Sequence, residues 1–278
     1  MICLITTSSR SKNMGTKLPQ TAPRVTKVIH KTKDLRSEGL DPKYEPGSVL
    51  SENKVSGCSL NFPIQGTCSP SKLCIKTCYY AAGMTAWSNS LKKQIWNHIA
   101  CKDNPHAFAE RVVKEYRKKG LEFLRWNGGG DLFAESVEAI NYIGKNYPDI
   151  VIWVVTRIPK MAALVDENPN IHLHFSLDKE SLHRMEKANS VVNRRIFFSY
   201  QTDKGEEPNI SELIDSGVSL FFFDNYQVPE YIYWDLKTKE DMFNYLCPLN
   251  VRRTEGKSIE GTCDDCRRCF NGDLSGYQ

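Results

Sequence analysis

Three cysteines within eleven positions, Cys68, Cys74 and Cys78 in GTCSPSKLCIKTCYY, are of the type and spacing that hold a metal. Pro63, Gly66 and Pro70 mark this stretch as an irregular loop, which can turn several thiolates toward one centre. Three thiolates leave a coordination position open, as a reactive site requires. A [4Fe-4S] cubane held by three cysteines keeps one iron free for a substrate or cofactor. Zinc, with Cys58 as fourth ligand, is the rival and would make the site structural. Unligated buried thiols are a poor explanation for three so close together. A second group, Cys263, Cys266 and Cys269 in GTCDDCRRCF, is preceded by Cys247 in LCPLN. Four thiolates close a site, so this one reads as structural or electron-relaying, filled by zinc or a second [4Fe-4S] cluster. Arg252, Arg253, Arg267 and Arg268 could offset its charge, although solvated surface charge explains each of them alone. Cys3 and Cys101 are read as unligated.

The elements that must position these residues alternate regularly. Strands are expected at 121–127 (LEFLRWN), 150–156, 170–177, 195–200 and 218–224, each a run rich in β-branched or aromatic residues. A sixth is expected near 54–60. Helical spacing appears at 86–101, 105–119, 132–147, 159–165, 182–188 and 210–216. Such alternation implies parallel pairing with right-handed crossovers, in a barrel or partial barrel rather than an open doubly wound sheet. Neither a Gly-x-Gly-x-x-Gly fingerprint nor a phosphate-binding Gly-Lys-Ser/Thr loop is present. Chemistry in such folds belongs at the carboxyl ends of the strands. Those ends are polar here: Arg125 and Asn127; Thr156 and Arg157; His172, His174 and Ser176; Ser199 and Gln201; Asp224 and Asn225. Singly each is explained as a satisfied polar group or turn former; five strands ending alike suggest a pocket.

Ten cysteines in 278 residues, with 40% apolar content, describe a chain with a real core and no need of disulfides. The apolar patch in MICLITTSSR is too short for a signal-peptide core, and no apolar run reaches transmembrane length. A reducing cytoplasm and no membrane partner are therefore expected. Residues 1–45 carry nine Lys/Arg against four Asp/Glu, with Pro19, Pro23, Pro42 and Pro46. This reads as a solvated arm that partly wraps the domain; contact with nucleic acid is the minority reading, because no aromatics are interleaved for base stacking. The expected division is an arm at 1–50, a core at 51–228 with the cysteine loop at 58–80, and a cysteine-rich extension at 229–278.

The segments SLNFPIQGTCSPSKLCIKTCYYA, RWNGGGDLF, WVVTR and HFSLD, with the closing CP…TCDDCRRCF, together resemble the gene product 88 family of phage proteins over roughly residues 55–270. That family is similar in layout to radical S-adenosylmethionine (SAM) enzymes. The resemblance implies a partial (β/α)6 barrel of the radical SAM type with a cysteine-rich C-terminal extension. It also implies a [4Fe-4S] cluster on Cys68, Cys74 and Cys78 whose unique iron chelates SAM. Gly128, Gly129, Gly130 and Asp131 match the glycine-rich turn that binds the SAM amino group. A bare GGGD is also an ordinary strand-to-helix turn with Asp131 as N-cap, and its order after the cysteines is what makes it informative. The cysteine spacing, C-x5-C-x3-C, is longer at both steps than the C-x3-C-x2-C of the usual radical SAM loop, and Tyr79 follows the last cysteine rather than preceding it.

Three functions are compatible with these features. In a radical SAM-type enzyme, a one-electron reductant would reduce the cluster. SAM would be cleaved to methionine and a 5′-deoxyadenosyl radical that abstracts hydrogen from a small-molecule or nucleic-acid substrate. Arg125, Arg157, His172, His174 and Ser199 would hold cofactor carboxylate or substrate, and the barrel would exclude water and oxygen. A SAM-independent enzyme would use the open iron as a Lewis acid. A non-enzymatic module would carry two structural zinc sites and bind nucleic acid through the basic arm.

Overall fold

The computed structural model describes residues 22–53, 57–192, 196–203, 205–223, 245–247, 266 and 269. The first 21 residues, Asp224 and Asn225, Cys263 and most of the expected C-terminal extension lie outside the described residues. Seven strands form one sheet: β1 (Leu50–Asn53), β2 (Gly57–Asn61), β3 (Phe123–Gly129), β4 (Val151–Thr156), β5 (Ile171–Leu177), β6 (Phe197–Gln201) and β7 (Val218–Phe222). Their order in space is their order in sequence. The β1–β2 pair is antiparallel, and every later pair is parallel. The chain is thus a mixed α/β protein with a mostly parallel sheet.

The helices are α1 (Pro23–Glu38), the single turns α2 (Ile64–Thr67) and α3 (Lys72–Lys76), then α4 (Ser88–Asp103), α5 (Pro105–Lys119), α6 (Ala134–Asn146), α7 (Pro159–Ala162), α8 (His183–Val191) and α9 (Ile210–Asp215). Local chemistry accounts for their limits. The Asn104 side chain accepts the Ala107 amide at 2.9 Å, Pro105 fills the first turn, and Gly120 ends α5 at φ 61°. Three cations, Arg117, Lys118 and Lys119, complement the dipole in its last turn.

Each parallel step to the next position in the sheet places its connecting helix on the same face. Accordingly one continuous core joins Leu124 and Trp126, Ile152 and Val154, Leu173 and Phe175, Phe198 and Tyr200 to Val112, Val113, Ile140, Ile143 and Met185 of the helices. Burying each large side chain there contributes about 1.5–3 kcal/mol. Alternation along the strands turns Ser59, Arg125, Trp153, His174 and Ser199 to the other, inner face.

The strand expected near 54–60 is β2, over Gly57–Asn61, and it pairs parallel with β3. One element and one expectation differ from the sequence reading. An additional strand, β1, runs antiparallel to β2, Leu50 facing Leu60 and Asn53 facing Gly57, so the sheet gains an antiparallel edge. The described part of the supposed solvated arm is largely helical. Val25, Val28 and Ile29 of α1 pack with Ile75, Ala81 and Leu91, burying one side of the helix against the cysteine segment. Pro23 does not break this helix; it occupies the first turn, where a missing N–H costs nothing.

Candidate functional site

The cysteine loop, between β2 and α4, closes over the carboxyl ends of β3 to β6. Four ties hold it. The Tyr79 hydroxyl donates to the Gly128 carbonyl at 2.5 Å, after β3's last inward side chains. Arg184 donates to the carbonyls of Ser69 at 2.9 Å and Arg157 at 3.1 Å. The Ser71 hydroxyl donates to Asp178, just beyond β5. Gln201, at the end of β6, donates to the Thr77 hydroxyl at 2.9 Å. Ser71 also caps α3 by accepting the Cys74 amide at 3.1 Å, which fixes the turn that carries Cys74.

Cys68, Cys74 and Cys78 are half-buried and face one another closely enough that their charges interact. Burial pushes all three thiols up, and the Asp131 carboxylate and the other thiols push Cys68 further. Arg157 opposes this at Cys74. Three thiolates and a carboxylate in one partly desolvated space repel one another, and a bound cationic centre relieves that repulsion. Among the described residues, no three His, Cys, Asp or Glu side chains gather closely enough to ligate one ion. The cysteines of a cubane bind different irons and need not converge on one point. Three thiols are the donor type that both a cluster and a zinc ion take. Cys58 packs into the helix-side core from β2, so it is not the fourth ligand that the zinc reading needs.

Beneath the loop lies a buried polar layer. Arg157 donates to Asp178 at 2.7 Å, to Ser71 at 3.2 Å and to Ser176 at 3.2 Å. Asp131 accepts from Leu132 N at 2.8 Å, Thr156 Oγ1 at 2.6 Å and Arg157 N at 3.2 Å. Burial nevertheless raises its pKa to about 6. Asp131 does not cap the following helix: Phe133 holds that position, paired with Ser136. The glycines meet the loop directly. A Cβ on Gly129 would lie 2.3 Å from the Tyr80 ring, and Gly130 adopts φ +83° against the Phe62 backbone. The turn and its acid are thus occupied by the chain's own Tyr79, Tyr80, Thr156 and Arg157.

A family described as Gene product 88 matches residues 23–272, 250 of the 278 positions. The chain belongs to the gene product 88 family. The match begins at the first residue of α1, so in this family member the helix against the cysteine loop is part of the family unit. Comparison with curated proteins and with solved structures returns no match.

On the inner face of this gene product 88 sheet, Ser59, Arg125, Trp153 and His172 stand side by side in register. His174 Nδ1 accepts the Trp153 indole N–H at 3.1 Å, so its Nε2 carries the proton and donates to Ser199 at 2.6 Å. Burial, helped by Arg125 and Arg157, lowers the His174 pKa to about 3. His174 and Ser199 thus form a buried link between β5 and β6. Of the other sequence-derived candidates, Arg157 meets the cysteine loop, and Arg125 touches it through Tyr79 at 3.1 Å.

His174 and Asp131 oppose each other as pH falls. The unfolded chain protonates its histidine first, so His174 loses native stability below pH 6.5; Asp131, protonated first when folded, gains it below about 6. The His174→Gln variant keeps only the second effect. Its stability relative to wild type is expected to improve by about 2 kcal/mol between pH 6.5 and 4.5. Urea unfolding at both pH values measures this; an unchanged difference would remove the buried neutral histidine from the account.

The C-terminal cysteines of this family member are described only in part. Leu246 bridges Phe221 of β7 in parallel, and the Cys247 amide donates to the Phe221 carbonyl at 3.2 Å, which buries Cys247 beside the sheet edge. Cys269 packs against Phe123 and Trp153 on the inner face of the sheet. Cys101 is fully buried in the main core, where no ligand reaches it. Asp178, Ser71 and Arg184 are site residues that the sequence reading missed. A lone acid at the end of HFSLD carries no sign of the arginine it will meet from the neighbouring strand.

Proposed function

We propose that this protein is an iron–sulfur enzyme of the radical SAM type, with a [4Fe-4S] cluster on Cys68, Cys74 and Cys78. The observation that carries the proposal is the joining of three half-buried thiols, with Arg157 and Asp131, over the carboxyl ends of parallel strands. Six parallel strands in sequence order support a partial (β/α)6 barrel. When bound, the cluster would supply one electron, received from a cellular reductant, for the cleavage of SAM. The chain's own residues would hold the loop, through Ser71, Asp178 and Arg157, and keep solvent from it through Tyr80 and Phe62. Cys247, Cys263, Cys266 and Cys269 would hold a second metal, zinc or a further [4Fe-4S] cluster. A small molecule or nucleic acid would be the substrate, in a cytoplasmic setting; no described helix is long and apolar enough to cross a membrane.

A specific observation favours a second reading. Asp131 and the glycine turn are already satisfied by the chain, so they add nothing to the case for SAM, which rests on the cysteine loop and the family resemblance. An open iron acting as a Lewis acid needs neither. Anaerobic protein reconstituted with iron and sulfide, then given dithionite and SAM, is expected to release 5′-deoxyadenosine. A full cluster that neither binds nor cleaves SAM would replace this reading with the Lewis-acid one.

A further inference from the structure

Arg125, unlike Arg157, meets no acid among the described residues. It projects from the middle of β3 onto the inner face and is half-buried. Its guanidinium lies over the Trp153 ring, 4.8 Å from the centroid, and its Nη2 donates to the Tyr79 hydroxyl at 3.1 Å. That hydroxyl gives its own proton to the Gly128 carbonyl, which leaves its oxygen as the acceptor. The buried Nε has no partner. Among the described residues no carboxylate pairs with Arg125, whereas Arg157, at the end of the adjacent strand β4, is matched by Asp178 at 2.7 Å.

A guanidinium has five N–H donors, and leaving buried ones unmet is costly. The face of Trp153 offsets part of that cost by a cation–π contact but accepts no hydrogen bond. Among the described residues the groups around it include no carboxylate: Ser59 and Trp153 in register, Tyr79 above, and His174, which the field of Arg125 and Arg157 helps to keep uncharged. A structural arginine is normally matched by an acid or by carbonyl oxygens. An arginine held in place by a ring and a phenol, with donors to spare among the described residues, suits an anion that a ligand brings.

We propose that Arg125 anchors an anion-binding subsite on the inner face of the sheet, taking a carboxylate or phosphate group of a bound ligand. Tyr79 joins the subsite to the cysteine loop, because it touches Arg125 and follows Cys78 directly. A ligand anchored there lies under the loop, with its charged end on β3. The proposal concerns the polypeptide alone and does not depend on what metal the cysteines hold.

The test uses the full-length protein as isolated, with its metal content recorded. Tryptophan emission of wild type minus that of Trp153→Phe reports on the ring beneath Arg125. Inorganic phosphate and acetate are titrated separately at constant ionic strength, with chloride as reference. A saturable change with at least one anion is expected, and which anion acts identifies the group as phosphate or carboxylate. Arg125→Met should weaken that binding by about tenfold or more. Arg125→Lys, which keeps the charge and loses the planar fork, should weaken it by about threefold or more. No saturable response to either anion, or affinity within twofold of wild type in the folded variants, overturns the subsite. None of these readouts involves iron or SAM, so failure here leaves the proposed chemistry standing, and the reverse holds.

Discussion

Serine in place of Cys68, Cys74 or Cys78, one at a time, is expected to lower the iron and acid-labile sulfide retained after anaerobic reconstitution by at least about tenfold. Loss of a residue that merely supports a ligand already costs about 10–100-fold in metal affinity, and loss of the ligand costs more. The contrast with other cysteines gives the experiment its force. Cys58 and Cys101 are buried in the helix-side core. Serine there leaves a hydroxyl in apolar surroundings and lowers stability by about 1–3 kcal/mol, yet iron content per folded chain should stay at the wild-type level. Elemental analysis and the visible spectrum of oxygen-free protein read both outcomes. Full iron in any of the three loop variants would remove that cysteine from the centre. A colourless wild-type protein carrying zinc alone would end the iron–sulfur reading altogether.

Much of the fold that presents this loop is legible in the residues themselves. The strands from β3 onward are runs such as IVIWVVT, buried on both faces, and β-branched density marks such runs without any partner being known. The long helix at 105–119 is bounded to the residue, because Asn104, Pro105 and Gly120 are local signals that need no tertiary context. Where the reading failed, the deciding contact was distant. LSEN in β1 has no strand character of its own; it forms a strand because β2 pairs with it, and because Glu115 accepts the Val49 amide at 2.7 Å. The prolines before residue 50 suggested an arm, although Val25, Val28, Ile29 and Thr32 already repeat at helical spacing. The site divides in the same way. The cysteines and the order of the glycine turn after them are legible, since spacing along the chain expresses them. That Asp131 turns inward, and that Asp178 reaches both Ser71 and Arg157, depends on strands brought side by side, and no local pattern encodes it.

The Arg157–Asp178 pair is where stability and site geometry are most tightly joined. Asp178 is fully buried and the Arg157 side chain nearly so, at 0% and 9% exposure. Burial alone would raise the Asp178 carboxyl and lower the Arg157 guanidinium. Each is moved the other way by the charges it meets, Asp178 by Arg157, and Arg157 by Cys74 first and then by Asp178. Removing one member strands the other charge in the interior. Arg157→Met is therefore expected to destabilise the protein by about 3–5 kcal/mol. Arg157→Met combined with Asp178→Leu should cost distinctly less than the sum of the single changes, because the second substitution removes the stranded charge. Urea midpoints at an unchanged slope measure this, and strict additivity would deny the coupling. The pH dependence has a definite sign. Asp178 is depressed in the folded state, so its contribution is present above the ordinary aspartate range and is lost as pH falls through the lowered folded value. Ser71 should carry the effect to the metal. Without Arg157 and Asp178 its hydroxyl loses the partners that hold the cap of α3, and Cys74 rides on that turn. The double variant, although freed of the stranded charge, should therefore still retain less iron than wild type. Iron retention at the wild-type level in the double variant would show that the cysteines hold their positions without this layer.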